Sequence, residues 1–150
     1  MTEVRFYHLQ RTDLTGALPK LLEKVLQAGQ RALVRTVSDA RVADLDRLLW
    51  TYDPASFLPH GTPETGFAER QPVYVTAGRE VPNGAGVLIL VDGVAPDQDV
   101  GQFARCCLMF DGRDEAAVAD ARGHWKRLKE AGHTLSYWQQ GDQGGWRQRA

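Results

Sequence analysis

Two short runs decide the fold: VLILV at residues 87–91 and RCCLMF at residues 105–110, each followed at once by an Asp-Gly pair, Asp92-Gly93 and Asp111-Gly112. An apolar run without polar alternation belongs to a strand buried on both faces, the situation of a parallel sheet between two helical layers. The chain around these runs reads as strands alternating with helices, and that order predicts a three-layer α/β domain. Its central sheet is mostly parallel, with helices on both faces, in a Rossmann-like arrangement.

On the N-terminal side, residues 4–9 are β-branched and aromatic and precede the turn-forming Thr12 and Asp13, which predicts a first strand. Leu18, Leu21, Leu22, Val25 and Leu26 recur at helical spacing. Pro19 fits near a helix start, so the spacing predicts a helix over about 17–28, capped by Thr15 or Gly16 and ended by Gly29. Residues 31–36 (RALVRT) form a second strand, and Ser38 caps a helix whose buried stripe is Val42, Leu45, Leu48 and Leu49. PVYVT at 72–76 is a further strand.

On the C-terminal side, residues 97–104 form a short helix and residues 114–131 a long one, with Val118, Ala121, Trp125 and Leu128 on one stripe and Gly132 as terminator. HTLSYW at 133–138 alternates as a final edge strand. The polar, Gly-rich remainder predicts a single domain over 1–140 and a flexible tail over 141–150, with Trp146 either tucked back or free.

The 150 residues suffice for one domain with a core of its own. Lys+Arg number 18 against Asp+Glu 19, so the whole molecule exerts no electrostatic pull on nucleic acid or an anionic membrane, and any anion binding must come from a local patch. No run approaches the roughly 20 apolar residues that span a bilayer, and MTEVRFYHLQ lacks the pattern of a signal peptide; a cytoplasmic protein is expected. Cys106 and Cys107 are adjacent, so a strand points them to opposite faces as small core residues rather than as a bridge or a metal pair.

Motifs for chemistry are sparse. No GxxxxGK[ST] is present, and Gly84-Ala85-Gly86 precedes a strand instead of opening a helix, so the fold is expected without a nucleotide-binding loop or a cofactor. Asp92 and Asp111 end two buried strands, where open α/β sheets place ligand groups. One reading is therefore a small metal-dependent phosphohydrolase; the other is a pair of Asp-Gly turns. His8, His60, His124 and His133 show no ligand spacing, and no nucleophile elbow occurs.

Two stretches suit recognition. In the long helix, Arg122, Lys126 and Lys129 fall at i, i+4 and i+7 beside Trp125, chemistry for a ligand that carries carboxylates next to an apolar group, although the same spacing also describes a solvated basic face. Residues 44–60 run from a helix into Trp50, Tyr52, Phe57 and Leu58, with Pro54 and Pro59 stiffening the turn. The loop over 51–71 is long for a compact domain, which marks it as a docking surface; a satellite core under the loop is the alternative.

With these residues in view, the chain resembles the chi subunit of bacterial DNA polymerase III. The resemblance lies in FYHL (6–9), LDRLLWTYDPASFLPHG (45–61), QPVYV (71–75), the paired Asp-Gly strands, and AR..W...K.AGH.L.YW (121–138). It implies a noncatalytic accessory of the clamp-loader assembly in DNA replication, without a bound cofactor, direct nucleic-acid contact or membrane contact. It further implies that Arg122, Trp125 and Lys126, with Lys129 nearby, bind the acidic C-terminal tail of single-stranded DNA-binding protein. Trp50, Phe57 and Pro59, in the motif that Leu58 and His60 continue, would bind the psi subunit or alternatively a repair helicase. Lys129 stands where the enteric form has arginine, a point charge in place of a bidentate grip.

Overall fold

The computed structural model describes residues 2–10, 13–53, 55–140 and 145–150. Thr12 and Pro54, two of the turn residues singled out in the sequence, lie outside them, as do residues 141–144 of the tail. In chain order the elements are β1 (Glu3–Leu9), α1 (Leu14–Gln27), β2 (Ala32–Arg35), α2 (Asp39–Thr51), β3 (Val73–Thr76), β4 (Val87–Leu90), β5 (Arg105–Asp111), α3 (Glu115–Glu130), β6 (Thr134–Gln140) and β7 (Trp146–Gln148). The segment 97–104 contains a 3-10 turn, Gln98–Gln102.

The strands form one seven-stranded sheet in the order β3-β2-β4-β5-β1-β6-β7. All pairings are parallel except β6 with β7. The two runs that predicted the sheet lie side by side near its centre, and alternation splits their side chains between two cores. Val87, Ile89, Cys107 and Met109 join Leu18, Leu22, Val42, Leu45 and Leu49 from α1 and α2. Leu88, Leu90, Cys106 and Leu108 join Ala121 and Leu128 from α3, with Val100 and Phe103 from the 3-10 segment. The three layers follow directly: α1 and α2 on one face, α3 on the other. Both cysteines are free and buried, one in each core.

Helix ends follow their caps. Ser38 Oγ accepts from the Arg41 N–H, and Asp114 accepts from the N–H groups of Ala116 and Ala117. At the end of α1, Gly29 adopts φ 75° while Gly29 N–H donates to Leu26 and Gln30 N–H to Val25, the paired bonds of a Schellman motif. Gly132 at φ 91° closes α3 in the same way, with His133 N–H donating to Leu128.

Two expectations are corrected. First, α1 begins at Leu14, ahead of Thr15 and Gly16, because the N–H groups of Gly16 and Ala17 both bond the Asp13 carbonyl. Pro19 consequently lies inside the helix, where it forfeits one N–H but is buried in the core. Second, β6 is not an edge strand, since β7 pairs along its outer side. Beyond β6, Trp146–Gln148 pair with it as β7, and Trp146 packs on Tyr7 with ring centroids 4.9 Å apart, the tucked-back alternative for that indole.

Candidate functional site

The conspicuous loop between α2 and β3 is built around His60. Its ring is buried, with Nδ1 2.8 Å from the Leu58 carbonyl and Nε2 2.8 Å from Asp46 Oδ1 on α2. Leu58, 2 % exposed, joins the core beneath. Gly61 then forms a bridge to β3: its N–H donates to the Val73 carbonyl and its carbonyl accepts from Val75 N–H, both at 2.9 Å. A Cβ at Gly61 would meet the Gln71 side chain at 2.5 Å, so glycine fits this close approach. The loop thereby covers the exposed edge of the sheet while staying fixed to α2.

On that anchored loop two aromatic rings remain outside. Trp50 is 53 % exposed and Phe57 71 % exposed, with ring centroids 5.8 Å apart, and Trp50 rests on His60 at 4.8 Å. Pro59 is half-buried beside them. Tyr52 turns away and donates its hydroxyl to Glu23 on α1 at 2.5 Å. Of the five sequence candidates here, Trp50, Phe57 and Pro59 have surface to offer a partner, whereas Leu58 and His60 support them from within. The sequence did not single out Phe67 in the same loop, which is 68 % exposed with the Arg70 guanidinium 6.0 Å from its ring.

The second candidate lies on α3. Arg122, Lys126 and Lys129 are exposed, and Trp125 between them is half-buried. The Trp125 ring packs on Phe6 at 5.3 Å and on Tyr137 at 6.1 Å. Tyr137 in turn meets Phe110 at 6.0 Å and His8 at 5.8 Å, with its hydroxyl 2.5 Å from His8 Nδ1. This aromatic floor was not identified from the sequence as part of the site. Alternation within β1 groups Phe6 with His8, but only the parallel register of β1 with β6 brings Tyr137 beside them on the α3 side. Burial pushes the Tyr137 hydroxyl above its ordinary value while the charge on Arg122 pulls it back, so the guanidinium acts on the rim of this floor. Burial likewise lowers His8, with Asp111 opposing.

Between β1 and β5 the chain leaves toward opposite faces of the sheet, into α1 from one strand and α3 from the other, which makes this the topological switch point. A crevice of about 400 Å³ opens there, and both Asp92 and Asp111 line it. Asp92 is committed elsewhere: Arg41 grips it through Nε–Oδ2 at 3.0 Å and Nη2–Oδ1 at 3.1 Å, and Thr36 donates to it at 2.6 Å. Its φ of 57° is the left-handed turn conformation expected of Asp-Gly. Asp111 accepts from the Arg113 N–H at 2.9 Å and from its guanidinium at 3.1 Å, which holds the carboxylate below its ordinary range. Among the described residues no group of three His, Cys, Asp or Glu side chains is placed to hold a metal ion. The turn reading accounts for both aspartates.

A mostly parallel sheet flanked by helices on both faces defines a three-layer, Rossmann-like α/β domain. A family model described as "DNA polymerase III chi subunit, HolC" matches residues 1–136, and the chain belongs to that family. It is 27% identical over 139 residues to the DNA polymerase III subunit chi of Pseudomonas aeruginosa, covering 90% of this chain and 94% of that one. The chi subunit of Haemophilus influenzae is 26% identical over 117 residues, 77% of this chain and 80% of its own. A probable chi subunit of Rickettsia prowazekii is 29% identical over 91 residues, 61% of this chain and 55% of its own length. Among the described residues no helix is long and apolar enough to cross a membrane.

Proposed function

We propose that this chain is a noncatalytic accessory of the replicative polymerase that links the clamp-loader assembly to the acidic C-terminal tail of single-stranded DNA-binding protein. The observation that carries this reading is the α3 face, where three exposed cations surround a half-buried indole seated on an aromatic floor. Carboxylates of the tail pair with Arg122, Lys126 and Lys129, and its apolar end packs against Trp125 and Tyr137. Arg122 supplies the planar fork, the lysines point charges.

The exposed pair Trp50 and Phe57, with Pro59, docks the psi subunit or a helicase. Exposed aromatic side chains on a rigid support are the residues that dominate binding energy at protein interfaces. The two surfaces lie on opposite sides of the sheet, α2 with one core and α3 with the other, so both partners fit at once. A pull-down from native cell extract with wild type, Phe57→Ala and Arg122→Ala tests this arrangement. Loss of different partners in the two variants is expected; loss of the same partners in both contradicts it.

A further inference from the structure

The sheet face that carries α1 and α2 is not fully covered. Beyond α1 the strands β1, β6 and β7 continue, and the space between them and the helix is a groove of about 620 Å³. Arg5, Lys20, Lys24 and Arg105 line it, and among the described residues no Asp or Glu does. The nearly neutral chain thus concentrates cations here, while the switch-point crevice collects Asp13, Asp92, Asp111, Asp114 and Asp120.

The cations are of two kinds. Arg5 and Arg105 share the single carboxylate of Glu3, Arg105 Nε at 3.7 Å, so their charge is only partly compensated. Lys20 and Lys24 stand one turn apart on α1, exposed, and neither has an ion pair among the described residues. The exposed charges without an ion pair are thus compact ammonium groups, which meet phosphates as point charges.

Two indoles share the groove. Trp138 is fixed by its Nε1 donating to Ser136 Oγ at 2.9 Å, with the Arg5 guanidinium 5.8 Å from its ring. Trp146, on the adjacent strand and the same face, stands on Tyr7 at an interplanar angle of 71°. Both rings are only partly buried. Aromatic platforms beside unpaired lysines are the arrangement that holds single-stranded nucleic acid, whose bases, unlike those of a duplex, are free to stack on side chains.

We propose, against the expectation of no direct nucleic-acid contact that the family resemblance raised, that this groove binds a short stretch of single-stranded DNA, its bases against Trp138 and Trp146 and its phosphates near Lys20 and Lys24. The site is separate from the tail-binding reading, because Tyr7, Trp138 and Trp146 belong to one core and Trp125 to the other. It binds weakly, since the patch is small and the chain as a whole is not basic.

The test is fluorescence anisotropy of a labelled oligo(dT) of about 12 nucleotides, within the site sizes usual for such surfaces. Binding that weakens with salt is expected, as is a loss of about tenfold or more in the Lys20→Glu/Lys24→Glu double variant, with a separate loss in Trp146→Ala. Both lysines are exposed, so the double variant keeps its fold; unchanged circular dichroism and unchanged binding of the acidic tail peptide confirm this and separate the two sites. No binding at low salt, equal binding by the double variant, or displacement by thymidine monophosphate or poly-glutamate as effective as by unlabelled strand overturns the proposal.

Discussion

Trp50 and His60 bring their rings to 4.8 Å across the turn that joins α2 to the loop, and the imidazole beneath is itself held to Asp46 on the same helix. The exposed indole therefore rests on a buried side chain whose two nitrogens are both engaged. Rigidity lowers the entropy lost on binding, so this contact would favour the docking role proposed for the loop.

Replacing His60 tests that tie. His60→Ala strands the Asp46 carboxylate and the Leu58 carbonyl and empties a buried site, at a cost of about 2–4 kcal/mol. Urea denaturation should show a lower midpoint with an unchanged slope, whereas Phe57→Ala, at an exposed position, should stay within about 0.5 kcal/mol of wild type.

Acid should weaken the fold through His8. Its folded-state value is lowered by burial, so its contribution to stability is fully present above the ordinary value of 6.5 and is lost as the pH falls through the depressed folded value. The melting temperature should therefore decline as the pH falls below 6.5, and His8→Gln should flatten that decline.

Divalent cations should leave the melting temperature unchanged. Asp92 is held by Arg41 and Thr36, and Asp111 by Arg113, so neither carboxylate is poised for a metal. Titration with Mg²⁺ or Mn²⁺ up to about 10 mM, followed by thermal unfolding, should give no saturable shift. A large shift removed by Asp92→Asn would restore the phosphohydrolase reading.

Much of this organisation is legible in the sequence because it follows from local rules. The runs at 87–91 and 105–110 announce two-sided burial, and Ser38, Gly29 and Gly132 mark helix ends through caps that need no tertiary context. What escapes is what depends on contacts distant in the chain. The start of α1 turns on the Asp13 carbonyl and on a core able to bury Pro19. The seventh strand brings Trp146 against Tyr7, a contact that no periodicity in the polar tail signals. Arg122, Trp125, Lys126 and Lys129 are visible as a helix face, but the floor of Phe6, His8, Phe110 and Tyr137 appears only once the parallel register of β1, β5 and β6 is known.

The α3 surface carries the central claim, and calorimetric titration with a peptide of the acidic C-terminal tail of single-stranded DNA-binding protein measures it directly. Wild type should bind with a dissociation constant on the order of micromolar, weakening as salt is added. Arg122→Ala should bind at least about tenfold more weakly, a loss of about 1.4 kcal/mol. An affinity unchanged by Arg122→Ala would contradict the account.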